Sequence, residues 1–135
     1  MLYHTDTTGP SNEGFIRGLQ KAILEADKCG LQEVIFIVPS IKHLKGGVYE
    51  AVLGKDVVEA FAKDKFMKMN SVSIYLETDR IKSPCRRGVV FAPFVTDEDI
   101  SQAAADPRAI DVVYVPWAEI EFSAYLAKNP SSIQI

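Results

Sequence analysis

A short segment of the chain, residues 40–47, gathers groups that suit anion binding. It contains one serine, three basic side chains and two glycines: Ser40, Lys42, His43, Lys45, Gly46 and Gly47. Cationic side chains beside flexible backbone are the parts of a phosphate or carboxylate pocket. We therefore expect an anion site here, and the alternative interpretation is an ordinary surface loop.

A second polar segment, residues 6–12, leads into the first predicted helix. Thr8, Ser11 and Asn12 offer hydroxyl and amide groups there. A helix N-terminus presents free N–H groups and a positive dipole end to an anion. These side chains are therefore candidate ligand-binding residues, although the same residue types also cap helices without binding anything.

A third segment, residues 79–87, is rich in arginine and contains one of the two cysteines. Arg80 and Arg86 can clamp a phosphate, or they can simply keep an exposed loop soluble. Neighbouring arginines would lower the pKa of Cys85 and make its thiol more reactive. No histidine stands at a fixed spacing from Cys85, so an unreactive thiol is the favoured interpretation.

One tryptophan, Trp117, follows Pro116 directly after an apolar run. At a strand end, an indole ring can stack on a ring of a ligand. The alternative role is to cover the edge of the core. We include Trp117 among the ligand-binding candidates.

Acid–base chemistry has few candidate residues in this chain. His43 can act as a general base if the fold brings it to Asp6 or Asp79. The two histidines lack neighbouring ligands at metal spacing, so no metal site is predicted. No motif identifies a cofactor.

The order of apolar runs predicts how these segments are positioned. Strands are expected near residues 2–5, 34–38, 72–76, 88–94 and 111–115. Residues 133–135 are a candidate for a further strand at the edge of the sheet. Helical patterns separate most of them. This alternation predicts one α/β domain over residues 1–135, a three-layer, Rossmann-like open sheet of about five mostly parallel strands with helices on both faces.

The polar segment between 72–76 and 88–94 suggests an antiparallel hairpin. Ligands of such sheets bind at the carboxyl ends of the strands, which is where the candidate loops fall.

Composition narrows the class of partner. The 135 residues carry a formal net charge of −3, with basic side chains in excess over residues 42–87 and acidic ones over 88–135. A nucleic-acid partner is not expected without an overall basic excess. Self-association of the basic and acidic faces remains open as a route to a homo-oligomer. Neither a signal peptide nor an apolar run long enough for a bilayer is visible, which predicts a cytoplasmic protein with no membrane partner.

The pattern Gly9-Pro10-Ser11-Asn12-Glu13, a long helix, Gly30-Leu31 and then an apolar strand up to Ser40 resembles the stand-alone relatives of the pyruvate kinase C-terminal domain. The resemblance covers residues 9–40. It implies an α/β fold and no particular activity.

Three functional hypotheses follow from these residues. The leading one is a small-molecule binding domain for a phosphorylated or nucleotide-like anion at the carboxyl ends of the strands. The second is a small hydrolase or transferase that uses His43 with Asp6 or Asp79. The third is a non-catalytic interaction or oligomerisation module.

Overall fold

A seven-stranded sheet forms the middle layer of the structure, a computed structural model that describes residues 1–135. In chain order the strands are β1 Leu2–His4, β2 Glu33–Ile37, β3 Phe66–Met69, β4 Val72–Glu77, β5 Gly88–Pro93, β6 Ala109–Val115 and β7 Ile133–Gln134. They lie side by side in the order β3-β4-β2-β5-β6-β1-β7. All neighbours are parallel except β3 and β4. The predicted mostly parallel α/β sheet is confirmed.

Five helices cover the two faces of this sheet. They are α1 Asn12–Lys28, α2 Gly47–Leu53, α3 Lys55–Asp64, α4 Asp97–Ala105 and α5 Glu119–Lys128, and a 3₁₀ turn spans Ile41–Leu44. The first three pack on one face over the larger apolar cluster, and α4 and α5 pack on the other face over the smaller one. None of these helices has both the length and the apolar character needed to cross a membrane.

The long helix α1 shows why the sequence folds this way locally. Its buried side chains, including Phe15, Leu19 and Ala22, recur at helical spacing on one face. The Gly14 N–H donates to the Ser11 hydroxyl at 2.9 Å, which caps the helix start. A Cβ at Gly18 would meet Val115 Cγ2 at 2.6 Å, so glycine allows α1 to approach β6 closely.

The antiparallel hairpin predicted for 72–76 and 88–94 is wrong. Strands β4 and β5 are not neighbours, because each pairs in parallel with β2 on opposite sides of it. The antiparallel partner of β4 is β3, reached through Asn70 and Ser71, which have φ angles of 49° and 68°. Two left-handed residues in succession suit a two-residue hairpin turn. The edge strand predicted for 133–135 is present as β7, and with β3 added the sheet has seven strands rather than about five.

The connections that follow the parallel neighbours β2 and β5 run over opposite faces of the sheet. From the carboxyl end of β2 the chain enters α2 and α3 on one face, and from the carboxyl end of β5 it enters α4 on the other. Adjacent strands whose connections diverge in this way leave a crevice between their loops. This crevice positions the candidate site.

Candidate ligand-binding cleft

A cleft of about 550 Å³ opens at the carboxyl ends of β1, β2, β5 and β6. We call it the aromatic cleft. It is lined by Pro10, Pro39, His43, Lys45, Gly46, Gly47, Val48, Tyr49, Phe94, Thr96 and Trp117. Its volume lies within the range of known small-molecule pockets, and it lies at the position where open α/β sheets bind ligands.

The segment after β2 supplies the cationic side of the aromatic cleft. His43 lies in the 3₁₀ turn, and its Nδ1 is 2.7 Å from the Ser40 hydroxyl oxygen. Lys45 follows the turn, and the ion pairs of the structure involve neither Lys45 nor His43. The Gly46 N–H donates to the Glu50 carboxylate at 2.6 Å. Both side chains are exposed, so the Lys45 ammonium group and the His43 ring can contact an anion.

Phe94 shapes the opposite side of the aromatic cleft. Its φ angle of 58° is left-handed, a region that costs a residue with a bulky side chain about 1–2 kcal/mol. The Phe94 N–H donates to the Val115 carbonyl oxygen at 2.8 Å, which ties this turn to the end of β6. The strained backbone brings the Phe94 ring between those of Tyr49 and Trp117, at centroid distances of 6.0 and 5.4 Å.

Trp117 and Tyr49 differ in how far they reach solvent. The Trp117 carbonyl accepts the Gly9 N–H at 2.7 Å, and the residue is 46% exposed. Tyr49 is buried, and its hydroxyl donates to the Pro93 carbonyl oxygen at 3.4 Å. Burial raises the pKa of Tyr49 well above its usual value, so this hydroxyl stays neutral.

Three of the residues predicted from sequence meet in this cleft: His43, Lys45 and Trp117. The candidates Thr8, Asn12, Ser40 and Lys42 belong to the same loops but do not line it. Ser11 caps helix α1, because its hydroxyl oxygen accepts a hydrogen bond from the Gly14 N–H.

Arg80 and Arg86, predicted to help hold the anion, lie away from the aromatic cleft. Both are exposed in the segment between β4 and β5, which crosses the opposite face of the sheet. The carboxyl-end rule, from which both arginines were predicted, does not specify the face of the sheet that a loop covers. The connecting segment packs on the face of α4 and α5, where Cys85 joins the smaller apolar cluster.

The acid–base pairs proposed from sequence are not assembled. Asp6 accepts a hydrogen bond from Arg17 at 2.9 Å and does not line the aromatic cleft. Asp79 lines a different pocket from His43, on the α4 side of the sheet. The hydrogen-bond partner of the His43 side chain is Ser40.

A second pocket, of about 70 Å³, lies on the face covered by α4. We call it the acidic recess. Its polar lining is Glu77, Thr78, Asp79, Lys82, Asp99, Gln102 and Asp106. Arg108 Nη2 donates to Glu77 Oε1 at 2.9 Å and Arg108 Nη1 to Glu77 Oε2 at 2.8 Å, and Arg108 also pairs with Asp106 at 2.8 Å.

The carboxyl group of Glu77 is almost completely buried in this arrangement. Burial by itself raises the pKa of Glu77, but hydrogen bonds from Arg108 and Ser83 outweigh burial and leave the pKa below its usual value. Glu77 is therefore a charged, fully partnered group. No set of three His, Cys, Asp or Glu side chains is arranged to hold a metal ion anywhere in the structure.

The expected lowering of the Cys85 pKa is wrong. Cys85 is 4% exposed, and its thiol lies 3.5 Å from the Glu33 carboxylate. Burial, followed by the charge of Glu33, raises the pKa of Cys85 to about 11. The Arg86 and Arg87 side chains are exposed, and the hydrogen bond from the Arg87 backbone N–H lowers the pKa by less than burial raises it.

Sequence reasoning missed Tyr49, Phe94 and Thr96 as lining residues. Phe94 and Thr96 adjoin a loop at a strand end, so the carboxyl-end rule points near them. A phenylalanine does not by itself predict a left-handed backbone conformation, so the turn at Phe94 was not expected. The sequence also does not distinguish Tyr49 from an aromatic residue of the core.

No protein-family model, curated protein or solved structure matches this chain.

Proposed function

We propose that the chain binds a small phosphorylated ligand in the aromatic cleft. The observation that carries the proposal is the charge of the lining. Lys45 brings a positive charge to the opening, His43 adds an imidazole that can donate a hydrogen bond, and no carboxylate lines the cleft. Phosphate groups are bound in proteins by such side chains through charge-assisted hydrogen bonds.

The position of the cleft supports the same function. It lies where the connections from β2 and β5 leave for opposite faces, the usual ligand position in open α/β sheets. A mostly apolar lining with a few convergent polar groups is typical of small-molecule pockets. Lys45 also has no internal carboxylate to displace before it contacts a ligand.

Thermal-shift screening of the full chain against a panel of nucleotides and sugar phosphates tests the proposal. A ligand present at 100 times its dissociation constant should add about 2.7 kcal/mol to the free energy of unfolding. The double variant His43→Gln, Lys45→Gln should lose this stabilisation, because it removes both cationic side chains of the cleft. Lys82→Gln, which removes a cation from the acidic recess, is the matched control and should respond as the wild type does.

Two results would contradict the proposal. One is the absence of stabilisation by every phosphorylated compound of the panel. The other is stabilisation that persists unchanged in the double variant, since the anion would then bind elsewhere.

A further inference from the structure

Trp117 lines the aromatic cleft, contacts its neighbours through both its backbone and its ring, and stays partly exposed. Its carbonyl accepts the Gly9 N–H at 2.7 Å, and its ring meets the Phe94 ring edge-on, at 5.4 Å and an interplanar angle of 76°. The residue nevertheless stays 46% exposed. A rigid aromatic surface that faces a cleft can stack on a planar ligand with little loss of side-chain entropy.

Phe94 adds a second observation at the same wall. A phenylalanine with φ of 58° is uncommon, and such strained residues cluster at binding sites. Here the strained turn places the Phe94 ring against Trp117 and against Phe15, whose ring lies 6.2 Å away and nearly parallel. The backbone conformation thus supports a continuous aromatic wall.

Hydrogen-bonding groups are scarce on this wall. Thr96 brings a hydroxyl, and the Tyr49 hydroxyl already donates to the Pro93 carbonyl oxygen. A sugar ring seated there would leave several of its hydroxyl groups without partners, which is costly when they are removed from water. The polar groups of a planar base lie along its edge, so the base can bury its flat face against the rings while its edge stays in water.

The strands that precede the cationic and the aromatic sides of the cleft are two strand spacings apart. His43 and Lys45 follow β2, whereas Trp117 follows β6, and β5 lies between these strands. Two strand spacings correspond to about 10 Å. A mononucleotide likewise separates its phosphate from its base by one pentose.

We infer that the aromatic cleft selects a mononucleotide, with the phosphate at His43 and Lys45 and the base stacked on Trp117. The inference rests on the proposed function, because the same cleft and the same cationic side bind the ligand. It adds the class of ligand and makes Trp117 a specificity-determining residue.

Titration calorimetry with AMP, ribose 5-phosphate and inorganic phosphate tests the inference on the full chain. Base stacking on an aromatic residue predicts that AMP binds roughly tenfold or more tightly than ribose 5-phosphate. Trp117→Ala should remove that advantage and leave the affinity for ribose 5-phosphate within about twofold of the wild type. Trp117→Phe should retain most of it. Since Trp117 is the single tryptophan of the chain, its fluorescence should also change when AMP binds.

Phe66→Ala is the matched control, because Phe66 is 40% exposed on the edge strand β3, far from the cleft in the strand order. It should bind AMP as the wild type does. Equal affinities for AMP and ribose 5-phosphate, both unchanged in Trp117→Ala, would overturn the inference and leave the proposed function standing. Failure of all three phosphate compounds to bind would overturn both.

Discussion

The aromatic cleft and the acidic recess both lie beside the central strand β2, yet their charged groups are partnered differently. In the recess, the buried Glu77 carboxylate accepts hydrogen bonds from Arg108 and Ser83. In the cleft, Lys45 is exposed and has no carboxylate partner. Charges that satisfy each other inside the protein hold the fold together, whereas an unpaired charge at an opening is free to bind a ligand. The comparison therefore assigns stability to the pair of Glu77 and Arg108, and it supports the proposal that the aromatic cleft binds an anion.

The largest expected effect is on stability and comes from the recess. Arg108→Ala leaves the buried carboxylate of Glu77 without its ionic partner, which should lower the free energy of unfolding by about 3–5 kcal/mol. Arg87→Ala, which removes an exposed arginine, should change it by about 0.5 kcal/mol or less. Urea denaturation of both variants measures the difference. An Arg108→Ala protein as stable as the wild type would break the assignment of stability to this pair.

Acid unfolding should report the same pair with a smaller effect. The pKa of Glu77 in the folded chain lies below its ordinary value of 4.5, so the unfolded chain takes up the proton first as the pH falls. The stability that this carboxylate contributes is complete above pH 4.5 and is lost as the pH drops towards the folded pKa. Glu77→Gln should therefore lose less stability than the wild type between about pH 5 and about pH 3, an interval centred near the ordinary pKa of a carboxyl side chain.

Asp79→Asn serves as the control for that experiment. It removes an exposed carboxylate of the same recess and leaves the pair of Glu77 and Arg108 intact. Its stability should follow the wild-type pH profile. If Glu77→Gln also followed that profile, the linkage assigned to Glu77 would be wrong.

The smallest expected effect is a difference in affinity for inorganic phosphate between a variant of the cleft and a variant of the recess. Lys45→Gln should weaken the affinity for inorganic phosphate by roughly 1 kcal/mol, about fivefold, because it removes one charge-assisted contact. Lys82→Gln in the recess should leave the affinity unchanged. Both variants should keep wild-type stability within about 0.5 kcal/mol, since both lysines are exposed. Equal losses of affinity in the two variants would mean that the anion senses only the overall charge of the protein.

Much of the fold could be predicted from the sequence, because the spacing of apolar residues indicates which faces of a helix or strand are buried. The unbroken apolar runs of β2 and β6 correctly predict strands covered on both faces. Periodicity does not record which strands are neighbours, and this is why β4 and β5 were expected to pair. Strand β3 is short and half exposed, although Asn70-Ser71 between two strand-like runs is a hairpin signal that could have revealed it.

The candidate site follows from the sequence only in part. The carboxyl-end rule places His43, Lys45 and Trp117 at one edge, and the structure brings them to one cleft. The rule does not specify the face of the sheet, so Arg80 and Arg86 were expected at the wrong side. Glu77 and Arg108 are 31 positions apart in the sequence, and no local pattern predicts that they pair.

Nuclear magnetic resonance of the ¹⁵N-labelled chain during titration with AMP distinguishes binding in the aromatic cleft from binding in the acidic recess, since it observes both regions in one experiment. We expect binding in the cleft to shift the signals of the Trp117 indole N–H and the Gly46 and Gly47 amides, with the Thr78 and Asp79 amides unchanged. Shifts confined to Thr78, Asp79 and their neighbours in the acidic recess, or no shifts at all, would contradict binding in the cleft.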